Sequence, residues 1–211
     1  MPQFPNSIKK LIDLFSKFPT VGPRTASRFV FYLIKQPKEK TEEIIMALQD
    51  LKGRIRYCAF CFNPFEAASE KLCEICRNNA RDKSTLCIVE KETDLNTIEN
   101  TGKYKGLYFI LGGNVSALKK TDLEKIRGQE LGKRLHSPQT AGISTTFKEI
   151  IVATNPTPEG KATAFVIERI IKEIFKDQVP KITHLGLGLP IGGELEYADD
   201  ETLENAFKNR K

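Results

Sequence analysis

The sequence has no apolar run long enough to cross a membrane and no segment typical of export. Its longest purely apolar stretches, such as Leu107–Leu111, are far shorter than the ~20 residues that a membrane-spanning helix needs. Residues 1–3 do not begin a charged and then apolar signal sequence. Internal repeats and low-complexity tracts are also missing. A composition of 40% hydrophobic and 28% charged residues is typical of globular proteins, so we expect a soluble cytoplasmic protein.

The sequence gives little support for a histidine-based catalytic or metal site, or for a nucleotide-binding loop. The two histidines, His136 and His184, have no spacing typical of a metal site or a nucleophilic site, and we expect both to be structural. The glycines at Gly186–Gly188 and Gly192–Gly193 are not followed by Gly-Lys-Ser/Thr, which argues against a phosphate-binding loop.

Excess positive charge is confined to the first quarter of the chain. Residues 1–57 contain eleven Lys and Arg but only five Asp and Glu, whereas residues 58–211 contain twenty-two of each sign. A basic N-terminal module on a neutral body indicates a polyanionic partner. The alternative is a solvated basic face with no such partner, and charge alone does not decide between the two.

The same N-terminal region predicts three short helices. The first begins at Asn6 or Ser7 and continues to Phe18, because apolar residues recur there at helical spacing. The second begins at Pro23 and ends near Gln36, and the third covers about residues 42–52. The Pro19–Pro23 segment separates the first two helices, and Gly22 is expected to permit a tight turn.

A hairpin between two helices is one way to bind phosphate. Backbone N–H groups are free at the start of the second helix, where the helix dipole also favours an anion. Arg24 and Arg28 lie one turn apart on one face of that helix. Together these features predict phosphate binding that is independent of base sequence. The alternative is an ordinary helix–turn–helix connection with solvated arginines.

Four of the five cysteines form two CxxC pairs, Cys58/Cys61 and Cys73/Cys76, with eleven residues between the pairs. Each pair offers two thiolates, and together they complete a tetrahedral shell for Zn²⁺ that leaves no open position for catalysis. The alternatives are two disulfides or a redox-active CxxC, and disulfides are disfavoured without an export signal. Cys87 lies in a predicted strand and is expected to be an inert core residue.

Beyond the cysteines, short apolar runs alternate with helical patterns. The runs predict buried strands at Leu86–Glu90, Leu107–Leu111, Glu149–Thr154 and Ile182–Leu187. The patterns between them predict helices at Asp94–Asn100, Asp122–Leu135 and Gly160–Lys176. Such alternation is typical of a largely parallel sheet that is covered by helices.

Several motifs follow one another in a characteristic order. They are the hairpin FPTVGPRTASR, the pairs CAFC and CEIC, the strand LCIVE that ends at Glu90, then YFILGG, VATNPTPEGKATA and HLGLGLPIGGELEYADDETLENAF. In these motifs and in their order, the sequence resembles the bacterial RecR family of recombination mediators over almost its full length.

The resemblance implies a multi-domain α/β protein. Its expected parts are a helix-hairpin-helix domain, a small zinc finger with four cysteine ligands, a Toprim-like and mostly parallel α/β domain, and a short strand-helix segment at the C-terminus. We place them at residues 1–56, 57–80, 81–178 and 179–211, with one structural Zn²⁺ per chain.

The resemblance also implies a function and a set of sites. It implies a non-catalytic, nucleoid-associated clamp, a ring-shaped homotetramer that grips DNA and acts with RecO and RecF to load RecA onto single-stranded DNA. The DNA-binding residues would be Gly22, Arg24, Arg28, Lys9 and Lys10. The partner-binding residues would be Glu90, Glu159 and Asn155, and no residue would be catalytic.

Two local departures distinguish the chain from the family pattern. Lys161 stands where the family usually has an acid, and the loop at residues 116–123 replaces the usual run after LGG. A Mg²⁺-dependent Toprim nuclease or primase is the alternative function. Such enzymes use an acidic pair where this chain has Asn155 and Thr157, and Lys161 would repel the cation, so we expect no enzyme. A protein-interaction scaffold without DNA contact is a third hypothesis.

Overall fold

The computed structural model describes residues 4–115, 126–176, 178–186, 188–189, 191–208 and 210. The chain divides into two compact units, Met1–Ile55 and Arg56–Lys211. Within the described ranges, no helix has both the length and the apolar content that a bilayer crossing requires.

The first unit consists of three helices, α1 (Asn6–Phe15), α2 (Pro23–Ile34) and α3 (Lys38–Arg54). Pro23 occupies the first position of α2, where its missing N–H costs no hydrogen bond and its restricted φ suits the helix start. Pro37 immediately precedes α3. The predicted pair of helices on either side of a hairpin is therefore confirmed.

The helix ends differ from the predicted ones because turns and prolines determine them. The chain leaves α1 after Phe15, and Phe18 N–H donates to the carbonyl oxygen of Phe15 at 3.0 Å, in a tight turn instead of a further helical turn. α3 begins earlier than predicted, directly after Pro37. The Phe15 ring contacts the ring of Phe29 with centroids 6.1 Å apart, which joins α1 to α2.

The second unit begins with the cysteine segment. Strand β1 (Ile55–Tyr57), whose first residue is the last of the first unit, forms a two-stranded ladder with β2 (Pro64–Glu66), and the single turn α4 (Glu74–Arg77) follows. These short elements hold the two CxxC pairs.

A four-stranded parallel sheet forms the centre of the second unit. Its strands are β3 (Thr85–Val89), β4 (Leu107–Ile110), β5 (Glu149–Ala153) and β6 (Lys181–His184), in the order β4-β3-β5-β6. All three pairings are parallel, which confirms the predicted sheet. The last strand ends at His184, before the predicted end, and Leu187 lies outside the described residues.

Helices follow the strands as predicted, although the one predicted from residue 122 begins at Gly128, after a turn at residues 126–127. They are α5 (Glu92–Asn100), α6 (Gly128–His136), α7 (Pro158–Phe175) and, near the C-terminus, α8 (Asp200–Lys208). Residues 122–125 of the predicted helix at 122–135, and the divergent loop at 116–123, lie outside the described residues.

The core of the second unit lies on both faces of the sheet. Every residue of β4 is buried, and so are the last four residues of β3. Leu95 of α5, Leu131 of α6 and Ile167 of α7 are completely buried in the same cluster. Burial on both faces explains why these strands are continuously apolar in sequence instead of alternating.

Candidate nucleic-acid interface and metal centre

The helices of the hairpin carry most of the unbalanced charge. Residues 6–35 contain six Lys and Arg and a single acid, Asp13. Three ion pairs of the first unit lie on α3, and they join Lys38 with Glu42, Lys40 with Glu43 and Arg54 with Asp50. The charge on α3 is therefore largely balanced by its own acids, whereas α1 and α2 together keep an excess of cations.

Arg24 and Arg28 are exposed on α2, one turn apart. No ion pair recorded for the described residues involves either arginine. Lys10 is exposed and Lys9 is half-buried on α1, and Gly22 is exposed in the hairpin. Ala26 N–H donates to the Gly22 carbonyl oxygen at 2.9 Å and is the first amide of α2 with such a partner. The amides of Arg24 and Thr25 therefore have no acceptor within α2.

The hairpin does not use Gly22 for a left-handed conformation. Thr20 is the residue with positive φ, at 65°, whereas Gly22 caps α2 in extended backbone with φ −84° and ψ 170°. A Cβ atom on Gly22 would meet no other atom within 4 Å. The expectation that Gly22 permits the tight turn is thus wrong, because Thr20 makes that turn. The missing side chain at Gly22 instead leaves the surface of the hairpin open.

The four paired cysteines converge on one point. The Sγ atoms of Cys58, Cys61, Cys73 and Cys76 all lie within 4.8 Å of one another, and all four residues are buried. Sulfur atoms around tetrahedral zinc at ~2.3 Å stand about 3.8 Å apart, and the Cys61 and Cys73 sulfurs are separated by 3.6 Å. All five cysteines are free thiols, so the cluster fits a tetrahedral metal site and not the disulfide alternative.

The four sulfurs lie close to two backbone amides and to one another. The backbone N–H of Cys73 points at the Cys58 sulfur and that of Asn63 at the Cys61 sulfur, each at 3.4 Å. The pKa of Cys58 is lowered because the neighbouring thiols, that of Cys61 above all, donate hydrogen bonds to it. Conversely, hydrogen bonds with Cys58 and the other thiols raise the pKa of Cys76. A divalent cation would hold all four sulfurs as thiolates.

The cysteine segment is attached to the core of its unit. Arg134 of α6 donates from Nε to the Ala59 carbonyl oxygen at 2.9 Å. Phe62 packs edge-on against Phe109 of β4 at 5.5 Å, and the Arg127 guanidinium lies 4.8 Å from the centre of the Phe62 ring. These contacts join the segment to a strand and a helix of the sheet domain, so it is not an independent finger.

Three segments meet where parallel strands β3, β4 and β5 end. They are residue 90, residues 111–115 and residues 154–160, which we call the carboxyl edge. Glu90 is completely buried there. Its Oε1 accepts from the backbone N–H of Asn155 at 2.8 Å, and its Oε2 accepts from Asn114 Nδ2 at 3.2 Å.

A second hydrogen-bonded bridge crosses the carboxyl edge. The buried Thr163 hydroxyl accepts from Val115 N–H at 2.9 Å and donates to the Glu159 carbonyl oxygen at 2.7 Å. Glu159 and Asn155 are exposed. Of the three predicted partner-binding residues, these two reach the surface, whereas Glu90 lies beneath them.

Lys161, the residue that follows the carboxyl edge on α7, has an acidic partner. Lys161 Nζ contacts both carboxylate oxygens of Glu201 at 2.7 Å, and this pair connects α7 to α8. Beside it, an open cavity of about 580 Å³ has exposed Phe165 and Leu185 in its lining.

Comparison with known proteins places these features in one family. The family model described as RecR, helix-hairpin-helix, matches residues 8–52, the Toprim domain model matches residues 84–183, and the model described as RecR, C-terminal, matches residues 188–211. A recombination protein RecR from Rubrobacter xylanophilus is 41% identical over 211 residues, which cover 100% of this chain and 99% of the relative. The chain belongs to the RecR family.

Two further members of the RecR family are similar along their whole length. Recombination protein RecR from Dehalococcoides mccartyi is 38% identical over 211 residues, covering 100% of this chain and 97% of its own. The protein of that name from Clostridium perfringens is 38% identical over 210 residues, with 100% and 98% covered. Family membership confirms the predicted fold class and a role in recombination and repair.

Sequence reasoning missed the residues that support the RecR motifs. These residues form no recognisable motif, and each makes a hydrogen bond with a residue that is distant in the chain. They are Asn114, Thr163, Arg127 and Arg134. The sequence does contain one signal for this packing: Phe60 and Phe62 lie within and just after CAFC, and such aromatic residues indicate that the cysteine segment packs against a core.

Proposed function

We propose that the chain is a non-catalytic, DNA-binding recombination mediator. It acts with RecO and RecF to help load RecA onto single-stranded DNA, and it does so as a ring-shaped homotetramer. The observation that carries the proposal is the pair of exposed arginines, Arg24 and Arg28, which have no ion pair among the described residues and follow a hairpin with open backbone amides.

Phosphate contact by this hairpin explains binding without base readout. Backbone amides and arginine side chains both bind phosphate oxygens, and neither group needs a particular base. Lys9, Lys10 and Gly22 complete the proposed surface. Because counterion release dominates such binding, affinity should fall steeply as salt is raised.

The cysteine cluster holds one structural Zn²⁺ in this proposal. Four sulfur ligands close the coordination shell, so the metal stabilises the fold around residues 58–76 and supplies no reactive position. The four-part division at residues 56, 80 and 178 belongs to the same proposal.

Partner proteins bind at the carboxyl edge. The exposed Asn155 lines the cavity together with Phe165 and Leu185, and the exposed Glu159 belongs to the same turn. A mixture of one acid, one amide and apolar surface suits a protein partner. Glu90 is part of the same proposed partner-binding site, although its side chain is buried.

Self-association is supported by apolar residues that remain exposed in the single chain. α3 buries no residue, and large apolar side chains are also exposed near the C-terminus. They include Ile45, Met46, Leu48, Ile191, Leu195 and Tyr197. Exposed apolar surface of this extent is typical of interfaces, and a ring would multiply weak phosphate contacts into a stable grip.

The test compares two variants with the same change in charge. Arg24→Gln/Arg28→Gln should weaken binding of mixed-sequence oligonucleotides equally across sequences and lower the dependence of affinity on salt. Lys38→Gln/Lys40→Gln removes two cations that are already paired on α3 and should have little effect. Equal losses in both variants, or no DNA binding by the partner-free protein, would contradict the proposal. Mass measurement with and without DNA tests the tetramer.

A further inference from the structure

Glu90 is a buried acid whose two carboxyl oxygens each accept a hydrogen bond inside the protein. Its Oε1 and Oε2 accept hydrogen bonds from the backbone of Asn155 and the side chain of Asn114, at 2.8 and 3.2 Å. Its own carbonyl oxygen accepts from Gly112 N–H at 2.9 Å. One residue therefore connects all three segments of the carboxyl edge.

Glu90 is also covered from above by the start of α7. A Cβ atom on Gly160 would lie 3.0 Å from Glu90 Oε1 and 1.9 Å from the Asn155 carbonyl oxygen. Only a residue without a side chain lets the helix approach so closely. Because Glu90 is completely buried, an incoming protein side chain or metal ion can reach it only if the turn at residues 155–160 or the Asn114 side chain moves.

The turn that Glu90 holds is the one that presents Glu159. Thr157 caps α7 by accepting Gly160 N–H at 3.1 Å, and Thr163 binds the Glu159 carbonyl oxygen. These bonds fix the end of the turn nearest to the helix. The bond from Asn155 N–H to Glu90 fixes its beginning, where the chain leaves β5.

We propose that Glu90 is a positioning residue, which acts through hydrogen bonds from beneath the turn at residues 155–160 and not as a charged contact or a metal ligand. It sets the place of Asn155 and Glu159 on the partner-binding surface. The inference rests on the function proposed above for that surface. It assigns different roles to Glu90, which positions the turn, and Glu159, which contacts the partner, whereas the family resemblance implies that both bind partners.

Substitution by glutamine separates the two roles. Glu90→Gln keeps an oxygen that accepts from Asn155 N–H, and its amide group can donate to Asn114 once the Asn114 side chain flips. Glu90→Ala removes both bonds. We expect Glu90→Gln to bind RecO within about threefold of the unaltered chain, and Glu90→Ala to bind at least tenfold more weakly, because each lost hydrogen bond affects the turn.

The exposed acid should respond in the opposite manner. Glu159→Gln keeps the shape of the side chain but removes its charge, so it should weaken RecO binding nearly as much as Glu159→Ala. Equal loss in Glu90→Gln and Glu90→Ala would mean that Glu90 acts through its charge, and the inference would be wrong.

A second measurement does not depend on any partner. Hydrogen exchange at the Asn155 amide, followed by NMR, should accelerate at least tenfold in Glu90→Ala and remain nearly unchanged in Glu90→Gln. A second variant, Asn114→Ala, covers the case in which Glu90→Ala does not fold, because it removes only a half-buried side chain. It should accelerate exchange at the Asn155 amide while its melting temperature stays within about 3 °C of the unaltered chain. An unchanged Asn155 amide in Asn114→Ala and Glu90→Ala would overturn the inference. If Glu159→Gln binds RecO normally, the partner-binding proposal fails, and the Asn155 amide still decides the role of Glu90.

Discussion

The backbone N–H of Ile110 donates to the carbonyl oxygen of Cys61 at 3.0 Å, so the cysteine segment continues the hydrogen bonding of the edge strand β4. Phe62 on the same side packs against Phe109 of that strand. The cysteine cluster is therefore part of the core of the second unit, and damage to it should not remain local.

Loss of the metal should destabilise the whole second unit. Cys58→Ser/Cys61→Ser removes two of four sulfur ligands, and structural zinc contributes on the order of 10 kcal/mol to small zinc-dependent folds. We expect a lower melting temperature and faster hydrogen exchange in β4, together with loss of one zinc ion per chain by metal analysis.

Cys87 provides the control for that experiment. It is buried in β3 and is not one of the four clustered cysteines. Burial raises the pKa of its thiol to about 12, so the thiol should stay protonated at neutral pH. Cys87→Ala should keep the full zinc content. Zinc loss in this variant, or unchanged exchange in β4 after removal of Cys58 and Cys61, would contradict the prediction.

The sheet was predictable because its physical signal is local. Residues 86–89 and 107–110 are buried on both faces, and this alone makes them continuously apolar. The bonds of the carboxyl edge have no such signal. Asn155 N–H reaches Glu90 across 65 residues of sequence, and only the parallel order of β3 and β5 brings the two together.

The cysteine cluster and the hairpin show what residue spacing can predict and what it cannot. Four cysteines in two CxxC pairs restrict the geometry so strongly that their convergence could be predicted from spacing alone. The turn before α2 could be predicted from Pro19 and Pro23, but not the residue that adopts positive φ. Thr20 rather than Gly22 does so, although glycine is the residue for which positive φ has no steric cost.

Adding a methyl group at Gly22 should impair DNA binding without affecting folding. The backbone angles of Gly22 suit any residue, and a Cβ would contact nothing within 4 Å. Gly22→Ala should therefore leave the melting temperature unchanged or slightly higher. The methyl group would occupy the space that a phosphate needs at the hairpin, and loss of about one hydrogen bond should weaken binding roughly fivefold to tenfold.

Gly53→Ala is the matched variant for the hairpin glycine. Gly53 lies on α3, and a Cβ there also meets no atom within 4 Å. Oligonucleotide binding measured by fluorescence anisotropy should be unchanged in Gly53→Ala. The same affinity in both variants would remove Gly22 from the DNA-binding surface.

Gly160→Ala should be strongly destabilising for a steric reason. The new Cβ would lie 1.9 Å from a backbone carbonyl oxygen, so the turn before α7 must move. Overpacking of this kind typically costs about 1–3 kcal/mol, and displacing the bonds to Glu90 adds to it. Gly132→Ala on α6 meets only Ile174 at an ordinary 3.6 Å and should be neutral or stabilising in the same urea titration. Comparable midpoints for the two variants would contradict this account.

The ion pair between Lys161 and Glu201 should hold the start of α8 against α7. The two side chains are 54% and 56% exposed, so a double-mutant cycle should give a coupling of at most about 1 kcal/mol that declines with salt. Lys161→Glu would place like charges together and should accelerate hydrogen exchange in α8. The charge swap Lys161→Glu/Glu201→Lys should reverse that acceleration, because it re-forms an ion pair with the opposite orientation. Fast exchange in the swapped variant would mean that Lys161 acts on something other than Glu201.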